Sequence, residues 1–355
     1  MTNSELFSKM TPSLTLSFAL CFGVFAQAAA AHLRVPGIIL LLLVGVLCGP
    51  DGLGIVQPEL MGDSLNSLVG FAVAIILFEG GLNLQIRRIK KEGKILRRLI
   101  LIGSFISAVS GMLVAKLCFQ WPWRLSALFG SLVIVTGPTV VNPLLRRLRV
   151  KQNISTLLEA EGVLIDAVGA IIAAVTLDVA LSFSRVHLLS GVGDIFLGLA
   201  GGTILGIVAG ALIWVLLRYE RLIPEGLENI FTLGIVLLLF QGANTLVHES
   251  GIAAVTAAGI LVGNSKLNVQ KNLIEFKEQL TFLFIGTLFV LLAADVRVAD
   301  VQALGKPAIF AMIAMVFVVR PATVFGSTFK TALSLKEKLF IGWIGTVYFT
   351  YCTDF

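Results

Sequence analysis

Charge is what this chain has least of. Only 14% of its 355 residues are Asp, Glu, Lys or Arg, 57% are hydrophobic, and the mean hydropathy is +0.96. That is too little polar surface to coat a water-soluble globule of this size. Histidine is nearly missing, with His32, His187 and His248 scattered along the chain, and Cys21, Cys48, Cys118 and Cys352 form no CxxC pair. A metal cluster and a disulfide framework are therefore disfavoured, and the cysteines read as small hydrophobes. Long polar stretches are lacking too, so a soluble nucleotide or cofactor domain has no room. No cofactor is expected, and no nucleophile, metal or phosphate-loop motif argues for an enzyme.

What is present is a succession of apolar runs near the roughly 17 to 25 residues needed to cross about 30 Å of hydrocarbon. About twelve recur, centred on 13–31, 36–49, 65–83, 99–119, 125–143, 157–182, 194–217, 229–247, 251–263, 277–293, 306–326 and 337–353. The expectation is an all-α polytopic membrane protein forming a single transmembrane domain over 1–355.

The basic residues set the orientation. The connection after the third span holds Arg87, Arg88, Lys90, Lys91, Lys94, Arg97 and Arg98 against one acid, Glu92, which places it in the cytoplasm. Alternating from there, the clusters around Arg146 to Lys151, Arg218 with Arg221, Lys266 with Lys271, and Lys330 to Lys338 all fall inside. The stretches Asp51 to Asp63 and Asp295 to Asp300 fall outside, as does the N-terminus. Topology thus accounts for the net charge of +6, and a nucleic-acid partner is not required. A cleavable signal ending at Ala26-Gln27-Ala28 would put the basic cluster on the wrong side, so the first segment is read as a span.

A repeat is visible. Gly37, Gly45 and Gly49 recur as Gly251, Gly259 and Gly263, with the same intervals of eight and four; Gly49 lies 32 residues before Gly81, and Gly263 lies 31 before Ala294. The copies cross in opposite directions, the pattern of inverted-topology transporters with sites on interrupted helices. The first repeat is drawn at about 11–182, a linker helix at about 194–217 and the second repeat at about 229–355.

The fifth span supplies an interruption at Thr136-Gly137-Pro138, where Pro138 removes a helix hydrogen bond and Gly137 tolerates unusual dihedrals. A simple kink is the alternative. The sixth span carries Glu159, Glu161, Asp166 and Asp178 in an otherwise apolar run. Ionised side chains there cost at least a few kcal/mol and mark function. Glu159 and Asp166 share a helix face, about 20° out of register, whereas Glu161 is rotated by about 140° from Asp166. Arg320, within an apolar run and followed by Pro321, needs a counter-charge, and Glu161 is its candidate. That leaves Asp166 to alternate between a proton and a cation; a buried structural hydrogen-bonder is the other reading. Asp178 is read as interfacial rather than a relay, and Glu79 either braces a helix or lies near the ion path.

These motifs resemble the NhaP-type branch of the cation:proton antiporter superfamily, to which the animal sodium/proton exchangers belong. The match runs from about 34 to 345. It rests on Arg34-Val-Pro-Gly with Gly49-Pro50, Leu77-Phe-Glu79-Gly-Gly-Leu-Asn83, Thr136-Gly-Pro-Thr, Glu161-Gly-Val-Leu-Ile-Asp166, Ser250-Gly-Ile-Ala-Ala-Val and Arg320-Pro321. The resemblance implies an inverted-repeat NhaA/NhaP-like fold with discontinuous helices, a homodimer, elevator-like alternating access, and a bacterial inner membrane. It further implies that Asp166 is the ion-binding aspartate, that Glu161 and Arg320 form an intramembrane salt bridge, and that Thr136 lines the crossing of broken helices.

The chain also departs from that pattern. Gly137 stands where the family has Asp after the threonine, and Ile165 stands where it often has Asn before the binding aspartate. The ion would then rely on Thr136, backbone carbonyls, water and Asp166, with Na+ the first candidate and K+ the second. One carboxylate holding either H+ or one cation predicts electroneutral exchange. At the end, Gly342-Trp-Ile-Gly345 is not followed by the family's Pro-Arg-Gly, and the second repeat is expected to be incomplete. An inactive remnant, a partner subunit and an uncoupled channel are the alternative readings.

Overall fold

The computed structural model describes residues 11–33, 35–135, 151–181, 185–219, 223–224, 227–247, 249–265, 270–329, 331 and 333–343. Every regular element among them is helical. In order these are α1 (Pro12–Leu33), α2 (Gly37–Cys48), α3 (Asp63–Asn83), α4 (Ile86–Arg98), α5 (Ser104–Phe119), α6 (Trp123–Leu132) and α7 (Gln152–Leu181). There follow α8 (Arg185–Arg218), α9 (Glu228–Leu246), α10 (Ser250–Gly263), α11 (Gln270–Asp295), α12 (Val298–Ala314), α13 (Arg320–Ser327) and α14 (Leu335–Trp343). Seven of the described helical stretches are long and apolar enough to cross a membrane, and three shorter ones are apolar as well.

Among the described residues the expected spans recur with shifted ends. The basic stretch after α3, expected as a connection, is the helix α4, which a widened π turn at Leu99–Gly103 joins to α5. The reason lies in its apolar positions. Ile89, Ile95 and Leu96 pack with Leu99 on Ile154, Leu157 and Leu158 of α7, and burial of that stripe holds the helix together. At the fifth span, α6 ends at Leu132, and residues 136–143 of that span lie outside the described residues.

The chain forms two compact units, one of 1–76 with 272–305, the other of 77–271 with 306–355. In the first, small residues bring backbones together, the means by which helices associate where lipid removes the hydrophobic drive. A Cβ on Gly45 would lie 2.5 Å from Ala293 Cβ and 2.7 Å from Val290 O, and one on Gly49 would lie 2.8 Å from Ala294 O. Gly23 faces Gly286 as closely, and Gln27 Nε2 donates to Phe282 O at 2.7 Å. Leu41, Cys48, Val56 and Leu291 fill the space between.

The second unit makes the same contact from the other copy. A Cβ on Gly259 would lie 2.3 Å from Phe78 O, and one on Gly263 would lie 2.2 Å from Leu82 O. An offset of about 213 residues carries Gly45 and Gly49 to Gly259 and Gly263, and Phe78 and Leu82 to Val290 and Ala294. The loop residues follow the same rule. Asp51 Oδ2 accepts the Val298 N–H at 2.6 Å in the first unit, and Asn264 Oδ1 accepts the Ile86 N–H at 2.8 Å in the second. Each satisfies a donor that a helix start leaves open.

Two further features shape the second unit. Gly202, Gly206 and Gly210 of α8 lie at intervals of four against Ser250, Ala254 and Ala258 of α10. Ser107 Oγ and Thr323 Oγ1, both buried, share a hydrogen bond of 2.9 Å between α5 and α13. Where a segment of the first unit ends, α12 is interrupted at Gly305, whose φ of 58° and ψ of −151° suit only glycine, and Pro307 lies just inside the helix that resumes.

Candidate functional site in the acidic helix

Helix α7 is continuous over 30 residues, about 45 Å of rise, and carries the four acids singled out in the sequence. Their surroundings differ. Asp178 is exposed near the end of the helix. Glu159 is half-buried and accepts a hydrogen bond from Ser155 Oγ one turn earlier, at 2.7 Å.

Glu161 is only 2% exposed, and Arg320 Nη1 lies 3.3 Å from its Oε1. Arg320 is set in place by a backbone irregularity. Pro321 has no N–H to return to Phe317, and the turn before it widens into a π turn over Met315–Val319, with the Arg320 N–H reaching back to Met315 O. The extra residue in that turn shifts the register of α13 by about 100° relative to an unbroken helix. Arg320 Nε is buried and has no partner among the described residues.

Asp166 is half-buried, and its Oδ1 is enclosed with no hydrogen-bond partner among the described residues. Such an oxygen is rare in a folded protein and needs a proton, an ion or a water to be satisfied. Two close approaches flank it on α7. Val163 meets Gly80 of α3, where an added Cβ would be 3.0 Å away; Gly169 meets Val135 and Ile134 just beyond α6, where a Cβ would lie 2.5 Å from Val135 Cγ2. Small residues thus let the helix before Asn83 and the end of α6 reach α7 within a turn of Asp166. Glu79, the neighbour of Gly80, is 8% exposed.

The structure therefore brings together Glu161 with Arg320, and sets Gly80 and Val135 against the helix that carries Asp166. Thr136, Gly137 and Pro138 lie outside the described residues. Sequence reasoning missed the two π turns and the paired capping by Asp51 and Asn264. Of the two turns, the one over Met315–Val319 had a signal in Arg320-Pro321, since a proline inside an apolar run leaves a carbonyl to be accommodated. The paired capping had one in the repeat offset, which relates Asp51 to Asn264. It also missed Arg297, which bridges Asp51 at 3.4 Å and Glu59; the Glu59 carboxylate, and then Asp51, hold its guanidinium above its ordinary pKa.

A long apolar helix that carries one ion-paired acid and one acid with an enclosed, unpartnered oxygen among the described residues is the arrangement of a helical membrane protein. The model of the family described as sodium/hydrogen exchanger, transmembrane, matches residues 15–351, and the chain belongs to that family. Its members are transporters and not enzymes. The chain is 26% identical over 337 residues to the K(+)/H(+) antiporter NhaP2 of Shewanella sp. strain ANA-3, covering 91% of this chain and 56% of that protein. It is 26% identical over 341 residues to Na(+)/H(+) antiporter 1 of Methanocaldococcus jannaschii, covering 92% and 78%. The solved structure of the sodium proton antiporter MjNhaP1 from Methanocaldococcus jannaschii at pH 8 superposes with a TM-score of 0.81 at 24% identity, over 94% of this chain and 83% of that one. The fold is that of an antiporter of this family, and the protein is a multi-pass integral membrane protein.

Proposed function

We propose that this protein exchanges a monovalent cation for protons across the membrane, with Asp166 holding one or the other in turn. The observation that carries this reading is the enclosed Asp166 Oδ1 without a donor among the described residues, beside a Glu161 whose charge Arg320 already meets. A carboxylate in that position is costly to ionise alone, so losing its proton and gaining a cation are coupled. Glu161 and Arg320 serve as a fixed clamp, and Thr136 completes the ion's ligands with backbone carbonyls and water. The net charge at the site is the same in both states, so exchange is electroneutral.

The protein works as a homodimer in a bacterial inner membrane, with α4 on the cytoplasmic side and the N-terminus outside. The positive-inside rule supports that orientation. Sodium is the first candidate for the cation, and potassium the second. The departures at Gly137 and Ile165, which remove two polar ligands of the family pattern, keep potassium open.

The test is proton flux in inverted vesicles carrying the full chain, challenged with sodium and then potassium, beside Asp166→Asn. The expected result is a collapse of the pH gradient that names the cation, is lost in the variant, and is unchanged when the membrane potential is clamped. Absence of flux from correctly inserted wild-type protein, or equal flux from the variant, overturns the proposal.

A further inference from the structure

Helix α4 carries more positive charge than any other described helix, and nothing among the described residues neutralises it. Arg87, Lys90, Lys91, Lys94 and Arg97 are all exposed, and none makes an ion pair among the described residues. Glu92, the one acid of the helix, pairs with none of them. At 3.6 residues per turn these five cations fall within an arc of about 120° and a length of about 15 Å. On the opposite side Ile89 and Leu96 are held in the core against Ile154, Leu157 and Leu158 of α7.

Orienting a membrane protein requires only a count of cations near one end of a span, and an irregular loop would serve. The array here is more specific. The stretch Ile86–Phe119 is helical over 34 residues, about 51 Å, whereas the hydrocarbon is about 30 Å thick. The excess of about 20 Å is the length of α4, which places its charged face at the level of the headgroups. A rigidly mounted row of unpaired cations at that depth is complementary to phosphodiester groups.

We propose that the exposed face of α4 binds the phosphate headgroups of anionic lipids in the leaflet at this end of the protein. The bound lipid bears on the candidate site through packing. The face opposite the cations rests on Leu157 and Leu158, and Asp166 follows Leu158 by about two turns of α7. Any effect on exchange rests on the transport reading above, whereas the binding does not.

The experiment uses the full chain in phosphatidylcholine bilayers containing trace spin-labelled phosphatidylglycerol or spin-labelled phosphatidylcholine, with electron paramagnetic resonance reading the motionally restricted fraction. The expected result is a severalfold preference for phosphatidylglycerol that falls towards one as salt rises to about 0.5 M. The combined variant Arg87→Gln, Lys90→Gln, Lys91→Gln, Lys94→Gln and Arg97→Gln removes the preference, and Lys90→Gln with Lys94→Gln reduces it should the larger variant fail to insert. Asp166→Asn keeps it, which separates this proposal from the transport reading. No preference in the wild type, a preference unchanged in the inserted variants, or its equal loss to soluble glycerol phosphate overturns the proposal.

Discussion

Arg320 Nη1 lies 3.3 Å from Glu161 Oε1, while Asp166, five residues further along the same helix, has a buried oxygen with no donor among the described residues. The two acids should therefore respond in opposite ways to neutralisation. Glu161→Gln leaves the half-buried Arg320, its Nε enclosed, without its counter-charge and is expected to cost up to about 3 to 5 kcal/mol of stability. Asp166→Asn removes an unmatched carboxylate and should leave stability unchanged or raised, while abolishing exchange. Thermal unfolding in detergent, read beside vesicle flux, checks both; a variant Glu161→Gln as stable as wild type would show that the pair is not a clamp.

The glycines of α10 give a sharper steric prediction. Gly259→Ala places a Cβ against Phe78 O and should destabilise by about 1 to 3 kcal/mol, the usual range for overpacking. Gly234 of α9 has open space where its Cβ would go, so Gly234→Ala should stabilise by up to about 1 kcal/mol. Melting temperatures of the two purified variants should move in opposite directions.

Asp51 and Asn264 occupy equivalent places but are not interchangeable. Asp51→Asn keeps an acceptor for the Val298 N–H and loses an exposed ion pair with Arg297, so the change should be under about 1 kcal/mol. Asn264→Asp keeps the acceptor for Ile86 but loses the donor to Leu84 O and Ile260 O, both at 2.7 Å, and should cost about 1 to 3 kcal/mol. Expression yield and unfolding midpoint will rank the pair.

Glu337 closes the start of α14 in a reciprocal box. Its Oε2 accepts the Ser334 N–H at 2.9 Å, its own N–H reaches Ser334 Oγ at 3.3 Å, and Lys151 Nζ lies 2.8 Å from Oε1. The Lys151 ammonium, and then Ser334, hold its carboxyl down to about 2 from an ordinary 4.5. A depressed value means that the contribution is fully present above pH 4.5 and is lost as pH falls towards 2. Amide exchange at the start of α14 should accelerate between about pH 5 and pH 3 in the wild type after correction for intrinsic rates, and Glu337→Gln should remove that dependence.

The acids of α7 and the intramembrane arginine are legible in the sequence alone. Charged residues in an apolar span announce themselves by their cost, so Glu161, Asp166 and Arg320 stand out in a chain with so few charges. The glycine intervals of eight and four also locate the close packing of α2 and α10. Helix α4 is not legible as a helix, because its seven bases mask an apolar stripe that only the surface of α7 makes worth burying.

The sequence by itself determined the solvent this chain lives in, the approximate spans and the short set of acids that lie within them. These follow from hydropathy, charge and repeat spacing, which are additive along a chain. The pairing of Glu161 with Arg320 is a candidate in the sequence, and only the tertiary structure supplies the contact, with Arg320 Nη1 at 3.3 Å from Glu161 Oε1. The π turn before Pro321 sets the register of Arg320, and the glycine contacts set how closely α3 and the end of α6 approach α7. Those are distances between residues far apart in the chain, fixed by packing and by the backbone's need for hydrogen-bond partners.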